Sequence, residues 1–213
     1  MSQLKKIVKP VYEKIFGDFK KTFKKELSGC DSVLDLGCGG NSLIQLCDAR
    51  FKVGVELFDQ YIEESKKKGI HNQYIKEDVT KVDFPPKSFD AVMMIDVLEH
   101  ITREDGLKLL AKMESWAKKK IIIYTPNGFI ENDCVDNNVL QAHKSGWKPE
   151  DFKKLGFRVY GGSGWKQLRG KATILKYKPE KLFLVLSDMS QKIVYYFPEV
   201  AFHIFAVKDI KKN

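Results

Sequence analysis

Cysteine is scarce in this chain of 213 residues, and the four present, Cys30, Cys38, Cys47 and Cys134, include no CxxC pair. That spacing suits neither a small structural zinc cluster nor a secreted disulfide framework, and it predicts a reducing, cytoplasmic setting. Long hydrophobic runs are missing too. None approaches the roughly 18 to 20 residues that a membrane-spanning helix needs. The opening "MSQLKKIVKPVYEKIF" lacks a continuous apolar core and a small-residue cleavage site, so no export signal is expected. Internal repeats and low-complexity linkers are also absent.

What is present reads as one soluble globular domain over residues 1–213, with 43% hydrophobic and 31% charged residues and enough length to bury a sizeable core. The net charge of +9 permits an anionic partner such as RNA, an acidic glycan or a lipid head group. Yet the lysines cluster at 24–25, 66–68 and 118–120, at or near the ends of expected helices, where the helix dipole and water both suit them. Aromatic residues are not interleaved with these clusters as a single-strand groove requires. Nucleic acid is therefore a disfavoured partner.

Hydrophobic spacing divides the chain. Residues 1–28 form a helical cap, with Ile7, Val8, Val11, Ile15, Phe16, Phe19 and Phe23 near helical period. A cofactor-binding core follows at 30–164, with strands expected near 32–36, 51–56, 73–77, 89–95 and 120–125. Its helices are expected near 41–49, 59–68 and 103–117. Alternation of this kind is the mark of a doubly wound α/β sheet covered on both faces. "KPEDFKKLGFRVYG" adds a helix from Pro149 to Gly156 and then a strand. Residues 165–199 form an apolar insert with no clean period, and 200–208 a final strand.

The stretch "VLDLGCGGNS" at 33–42 carries the chemistry. Read as a dinucleotide fingerprint, Gly37-x-Gly39-x-x-Ser42 is defective, with serine where a third glycine should let helix and strand pack closely. Asp35 also stands where a pyrophosphate would approach, and like charges repel. The same carboxylate suits a cofactor with an ammonium at that end and no phosphate, as in S-adenosylmethionine. Glu56 ends the second strand about 20 residues on, where an acid can take both ribose hydroxyls. Asp78 follows the third strand, placed to accept from an adenine amino group with Val79 against the ring.

Residues 30–126 resemble the core of class I S-adenosylmethionine-dependent methyltransferases of the small methyltransferase-domain type. The resemblance lies in "VLDLGCG", "VGVELFD", "EDVTKVDFPPKSFDAVMMIDVLEHI" and "IIIYTPNG" and continues through "HKSGWKPEDFKKLGFRVYG" to "PEVAFHIFAVK". It implies a Rossmann-like, mainly parallel seven-stranded sheet whose last strand is antiparallel. It also implies that Asp35, Gly37, Cys38 and Gly39 surround the methionine moiety, and that Glu56 with Leu57 meets the ribose. Asp78 and Val79 would hold the adenine, and Asp96 would lie at the floor of the active site. One departure is Asn41, which stands where the family loop commonly has a further glycine; asparagine tolerates a left-handed backbone better than most residues.

The acceptor is less legible. The (N/D/S)-P-P-(Y/F) tetrapeptide of many amino-methylating enzymes is replaced by "IDVLEH" after the fourth strand, which disfavours base N-methylation. His143 is the leading candidate base for a hydroxyl acceptor, because an imidazole titrates near neutrality. His100 is the second, with a structural or cofactor-shielding role as its alternative. His71 reads as a surface residue and His203 as core. Ser145, Trp147 and Trp165 offer acceptor walls if they do not simply pack. No metal is implied, since the dense polar set of Asp133, Asp136, Asn137 and Asn138 reads as a solvated loop.

In the insert, Phe183, Val185, Leu186, Ile193, Val194, Tyr195 and Tyr196 exceed what one short helix buries. They leave open a pocket cover, a dimer face or a seat for a lipid-linked substrate beside packing on the sheet. Lys171, Lys176, Lys178 and Lys181 flank it as peripheral membrane contact prefers. The expectation is methyl transfer from S-adenosylmethionine to a small or carrier-linked acceptor, at a hydroxyl of a glycan or polar metabolite. The alternatives are an RNA or protein methyltransferase using the basic surface, and a non-catalytic cofactor-binding module. The oligomeric state is left open.

Overall fold

The computed structural model describes residues 18–131, 139–170 and 176–211. Seven strands form one sheet in the order β3-β2-β1-β4-β5-β7-β6: β1 (Ser32–Leu36), β2 (Phe51–Glu56), β3 (Gln73–Lys76), β4 (Phe89–Ile95), β5 (Ala117–Pro126), β6 (Arg158–Trp165) and β7 (Ala201–Asp209). The first five are parallel; β7 lies antiparallel between β5 and β6. This is a Rossmann-like, mainly parallel sheet with an antiparallel last strand, as expected. Among the described residues five α-helices accompany it: α1 (Asp18–Glu26), α2 (Asp59–Lys67), α3 (Arg103–Trp116), α4 (Pro149–Lys154) and α5 (Glu180–Val194).

The central strands are buried on both faces, which explains the near-continuous apolar runs "FDAVMMI" and "IIIYTP". Side chains alternate across the sheet. Leu34, Leu36, Val92, Met94, Ile121 and Ile123 join Leu109, Leu110 and Met113 of α3 on one side. Val33, Ala91, Met93 and Ile122 join Phe23 and Leu27, from α1 and just beyond it, on the other. The parallel register carries the C-terminal ends of β1, β2 and β4 to one edge, and the β1/β4 pair is where the strand order reverses. A crevice at such a reversal is where this fold class places ligands.

Two expectations change. Residues 41–49 are not a helix; they hold a single 3-10 turn, Leu43–Leu46. Ser42 accepts from the Ile44 amide and donates to Asp35, and the chain is already extended at Cys47, so no second turn can propagate. Within the insert, residues 180–194 form α5, whose aperiodic sequence hides an inverted helix. Its inward face is polar: Gln191 bridges the Gly164 amide (2.8 Å) and the Gly161 carbonyl (3.0 Å), and Ser190 takes the Trp165 amide (2.9 Å). Its apolar residues Leu182, Leu184, Val185, Leu186, Met189 and Ile193 face outward. Gly161 permits this docking, since a Cβ there would lie 2.0 Å from the Val194 carbonyl oxygen.

Of the expected N-terminal cap only α1 and the residues just after it are described; Ile7, Val8, Val11, Ile15 and Phe16 lie outside the described residues, as do Cys134, Asp133, Asp136, Asn137, Asn138 and Lys171. Among the described residues, no helix is long and apolar enough to cross a membrane.

Candidate active site

At the reversal point lies a cavity of about 490 Å³, within the range of sites that hold small-molecule cofactors. Its first wall is the turn after β1. Gly37 and Gly39 take left-handed backbone (φ 68° and 55°), and the Gly37 and Cys38 amides donate to the Val55 carbonyl at 2.8 and 3.0 Å. A Cβ on Gly37 would stand 2.3 Å from Val97 Cγ2, so glycine is required there by both conformation and space. Asn41 is not among the left-handed residues, so the turn does not ask that conformation of it.

Asp35 is almost fully buried beneath this turn. Its Oδ2 accepts from Ser42 Oγ at 2.5 Å and stands 3.0 Å from His71 Nε2. His71 is therefore not the surface residue expected. Its ring is enclosed, with Nδ1 3.2 Å from Ser65 Oγ and its edge against Tyr74. The chain doubles back after α2 at Gly69 (φ 61°) and carries His71 under β1 just before β3 begins. No local pattern announces that placement, since a histidine between helix and strand reads as a loop residue.

Glu56 organises the neighbouring wall. Oε2 accepts the Gly39 amide at 3.0 Å, and Oε1 accepts the Leu57 and Phe58 amides at 2.9 Å each, tying the turn after β1 to the start of α2. Each carboxylate oxygen has two acceptor positions, so one position, on Oε2, remains for a ligand hydroxyl. Asp78 likewise bends its own loop, accepting from the Thr80 amide and hydroxyl at 2.8 Å. Leu57, Asp78 and the buried Val79 complete this end of the cavity. Cys38 lines it as a thiol, since burial with Asp35 and Glu56 nearby pushes its pKa far upward.

The opposite end is made by Asp96, His100 and Lys144. Asp96 is left-handed (φ 51°), its amide held by the Tyr124 carbonyl at 2.8 Å. Such a backbone at a non-glycine residue costs energy and is found at functional sites. Its side chain opens onto the cavity and is half exposed, and desolvation by the surrounding protein pushes its pKa up. Behind it His203, stacked on Tyr124 at 4.7 Å, lies 3.6 Å from Asp96 Oδ1, and burial lowers its pKa to about 3. His100 is lowered to about 4 by burial and by His143.

The cavity thus gathers Asp35, Gly37, Cys38, Gly39, Glu56, Leu57, Asp78, Val79, Asp96 and His100. His143 is not part of the lining; its ring stands edge-on behind His100 at 4.8 Å. The expected acceptor walls lie elsewhere. Trp147 is wholly buried, packed on Phe152 beneath the Arg103 guanidinium, with its indole N–H on Ser145 Oγ at 3.0 Å. Trp165 projects into solvent from the end of β6. Beside His71, sequence reasoning missed Glu99, which is buried next to His100 and accepts from Thr125 Oγ1 at 2.9 Å. The dipeptide Glu99-His100 was its one sequence signal.

Residues 34–124 match the family described as Methyltransferase domain. Solved structures similar to this chain include an S-adenosylmethionine-dependent methyltransferase from Archaeoglobus fulgidus, at 21% identity and TM-score 0.58, covering 93% of this chain and 97% of that one. A second, a methyltransferase of the same cofactor class from Listeria monocytogenes, shares 15% identity over 92% of this chain and 97% of its own, with TM-score 0.58. The plantazolicin methyltransferase BpumL, solved in complex with SAH, shares 16% identity over 99% of this chain and 91% of its own, with TM-score 0.56. At these identities the likeness is one of fold. No curated protein matches the chain by sequence.

Proposed function

We propose that this chain, an S-adenosylmethionine-dependent methyltransferase whose residues 34–124 match the methyltransferase-domain family, methylates a hydroxyl of a small or carrier-linked glycan or polar metabolite. The observation that carries this reading is the placement of polar groups at the two ends of the cavity. Backbone turns and the acids Asp35, Glu56 and Asp78 occupy one end, and a near-neutral carboxylate with an imidazole occupies the other. The donor set fits the cofactor: acids for its ammonium, ribose hydroxyls and adenine amino group, and a left-handed glycine turn that brings backbone close.

Bound there, S-adenosylmethionine supplies a methyl group on a sulfonium, open to in-line displacement. Asp35, held by Ser42 and His71, presents a fixed carboxylate to the ammonium through the Gly37–Gly39 turn. Glu56 receives a ribose hydroxyl on Oε2 while keeping the turn and α2 in register, and Asp78 with Val79 holds the adenine. Asp96 faces the acceptor. A carboxylate whose pKa is raised toward neutrality is a stronger base than a free one, which suits a group that takes a hydroxyl proton. His100 and Lys144 orient the acceptor oxygen. The outward apolar face of α5, with Lys176, Lys178 and Lys181 at its start, supports peripheral contact with a lipid or carrier.

The test is calorimetric titration with S-adenosylhomocysteine. Binding should weaken at least about tenfold in Glu56→Ala, because the acid is lost and the Gly39 amide loses its partner. Asp96→Asn should keep that affinity and lower transfer of labelled methyl to hydroxyl acceptors. Unchanged affinity in Glu56→Ala refutes the cofactor placement, and unchanged transfer in Asp96→Asn refutes its role at the acceptor.

A further inference from the structure

Glu99, His100 and His143 come together at the acceptor end of the cavity. Glu99 and His100 are consecutive in the 3-10 turn Leu98–His100 that follows β4. His143 is brought to them by a loop zipped onto that turn: the Lys144 and Ser145 amides donate to the Glu99 carbonyl at 2.7 and 3.0 Å, and Ser145 Oγ donates to the Leu98 carbonyl at 3.1 Å. One ligand-type atom from each of the three side chains lies within 4.8 Å of the other two.

We infer that Glu99, His100 and His143 form a divalent-cation site whose open face is the acceptor end of the cavity. The role of the ion rests on the methyl-transfer reading above; its binding does not. Three features of the geometry converge on it. The Nδ1 atoms of both imidazoles face backbone carbonyls, His100 toward Ala142 (3.4 Å) and His143 toward Ile130 (2.5 Å). This is how metal-ligating histidines are oriented: Nδ1 carries the proton and the lone pair turns to Nε2. The Glu99 side chain is buried, and the donors that reach it, the Thr125 hydroxyl and its own backbone amide, are neutral. Among the described residues no lysine or arginine pairs with it, and a carboxylate taken out of water is ordinarily compensated by a cation.

The third feature is access. His100 lines the cavity while Glu99 and His143 close the back of the cluster, so coordination positions left open by the protein face the acceptor. Two imidazoles and one carboxylate suit Zn²⁺, Co²⁺, Fe²⁺ or Mn²⁺ rather than the all-oxygen cations. Ligand atoms around such an ion stand about 3 to 4 Å apart, so closing on it takes a contraction of about 1 Å, within the reach of rotamer changes. The ion would act as a Lewis acid on an acceptor hydroxyl. The hydroxyl proton passes to Asp96, the oxygen bonds to the methyl carbon, and the carbon–sulfur electron pair stays on sulfur.

The probe is Co²⁺, added to the full chain after dialysis against chelator and followed by visible d–d absorption. One equivalent should bind, with at least about tenfold weaker binding in Glu99→Gln and in His143→Ala. Glu99→Gln keeps the side-chain shape and an acceptor for Thr125, so it guards against loss through misfolding. S-adenosylhomocysteine is titrated into the same samples. Absence of Co²⁺ binding in protein that binds the nucleoside overturns the cation site and leaves methyl transfer standing. Co²⁺ binding undiminished in both variants also overturns it, by placing the ion elsewhere. Co²⁺ binding lost in both variants, in protein that fails to bind the nucleoside, supports the site and overturns the methyl-transfer reading.

Discussion

Replacing His71 by leucine removes the one buried group that ties Asp35 to the segment before β3. Leucine fills most of the space and keeps the apolar contacts, so the loss is chiefly polar. The Nε2 contact to Asp35 at 3.0 Å is a hydrogen bond to a carboxylate, for which about 1.5–3 kcal/mol is typical. The Nδ1 contact to Ser65 at 3.2 Å adds about 0.5–1.5 kcal/mol. Together they predict a destabilisation of about 2–4.5 kcal/mol. At about 2–4 °C per kcal/mol for a domain of this size, Tm should fall by about 4–18 °C. Asp35 then keeps Ser42 as a donor but loses its second restraint, so S-adenosylhomocysteine should bind about tenfold more weakly, about 1.4 kcal/mol. His71→Gln, whose amide can still donate to Asp35, should recover part of both losses. Thermal unfolding by circular dichroism and titration calorimetry read the two quantities. If His71→Leu changes neither, Asp35 is not positioned by the imidazole.

Two further perturbations follow from the geometry. Gly37→Ala meets a left-handed backbone, costing about 1–2 kcal/mol, and drives a Cβ to 2.3 Å from Val97 Cγ2. The variant should fold with a lower Tm and lose more than about tenfold in S-adenosylhomocysteine affinity, and wild-type affinity would refute the turn's role. His203 is buried with Nδ1 lacking a partner, and its pKa falls from 6.5 to about 3 on folding. The unfolded chain therefore binds the proton more readily. The stability this provides is complete above pH 6.5 and is lost as pH falls toward 3. His203→Phe should flatten that part of the acid limb in Tm measured from pH 7.5 to 4.5, and an unaltered limb would refute the assignment.

Much of the cofactor end is local in sequence. A glycine turn after a strand, an acid at the end of the next strand and another after the third are each set by a few consecutive residues, and parallel pairing brings them to one edge. The strands of the core were legible for the same reason, because burial on both faces leaves continuous apolar runs. Helical reading failed at 41–49, where Ser42 turned its hydroxyl to Asp35 and left one 3-10 turn. It failed again at α5, where hydrophobic residues point outward and Gln191 and Ser190 dock on β6. A rule that places apolar faces inward reads that helix backwards.

Other placements are different in kind. His71, Glu99, His143 and Trp147 acquire their positions from long-range contacts: a loop clamped on the Glu99 carbonyl, a segment folded under β1, an indole driven beneath Arg103. The sequence by itself determined the alternating strands and helices of the parallel core and the acids at the strand ends, because those follow from period and from spacing along single strands, whereas the strand order was set by the tertiary pairing. Only the tertiary structure decided which histidine lies under the turn, which lines the cavity and which stands behind it. Those choices depend on contacts between residues some 40 positions apart, such as Lys144 on the Glu99 carbonyl, which no local period encodes.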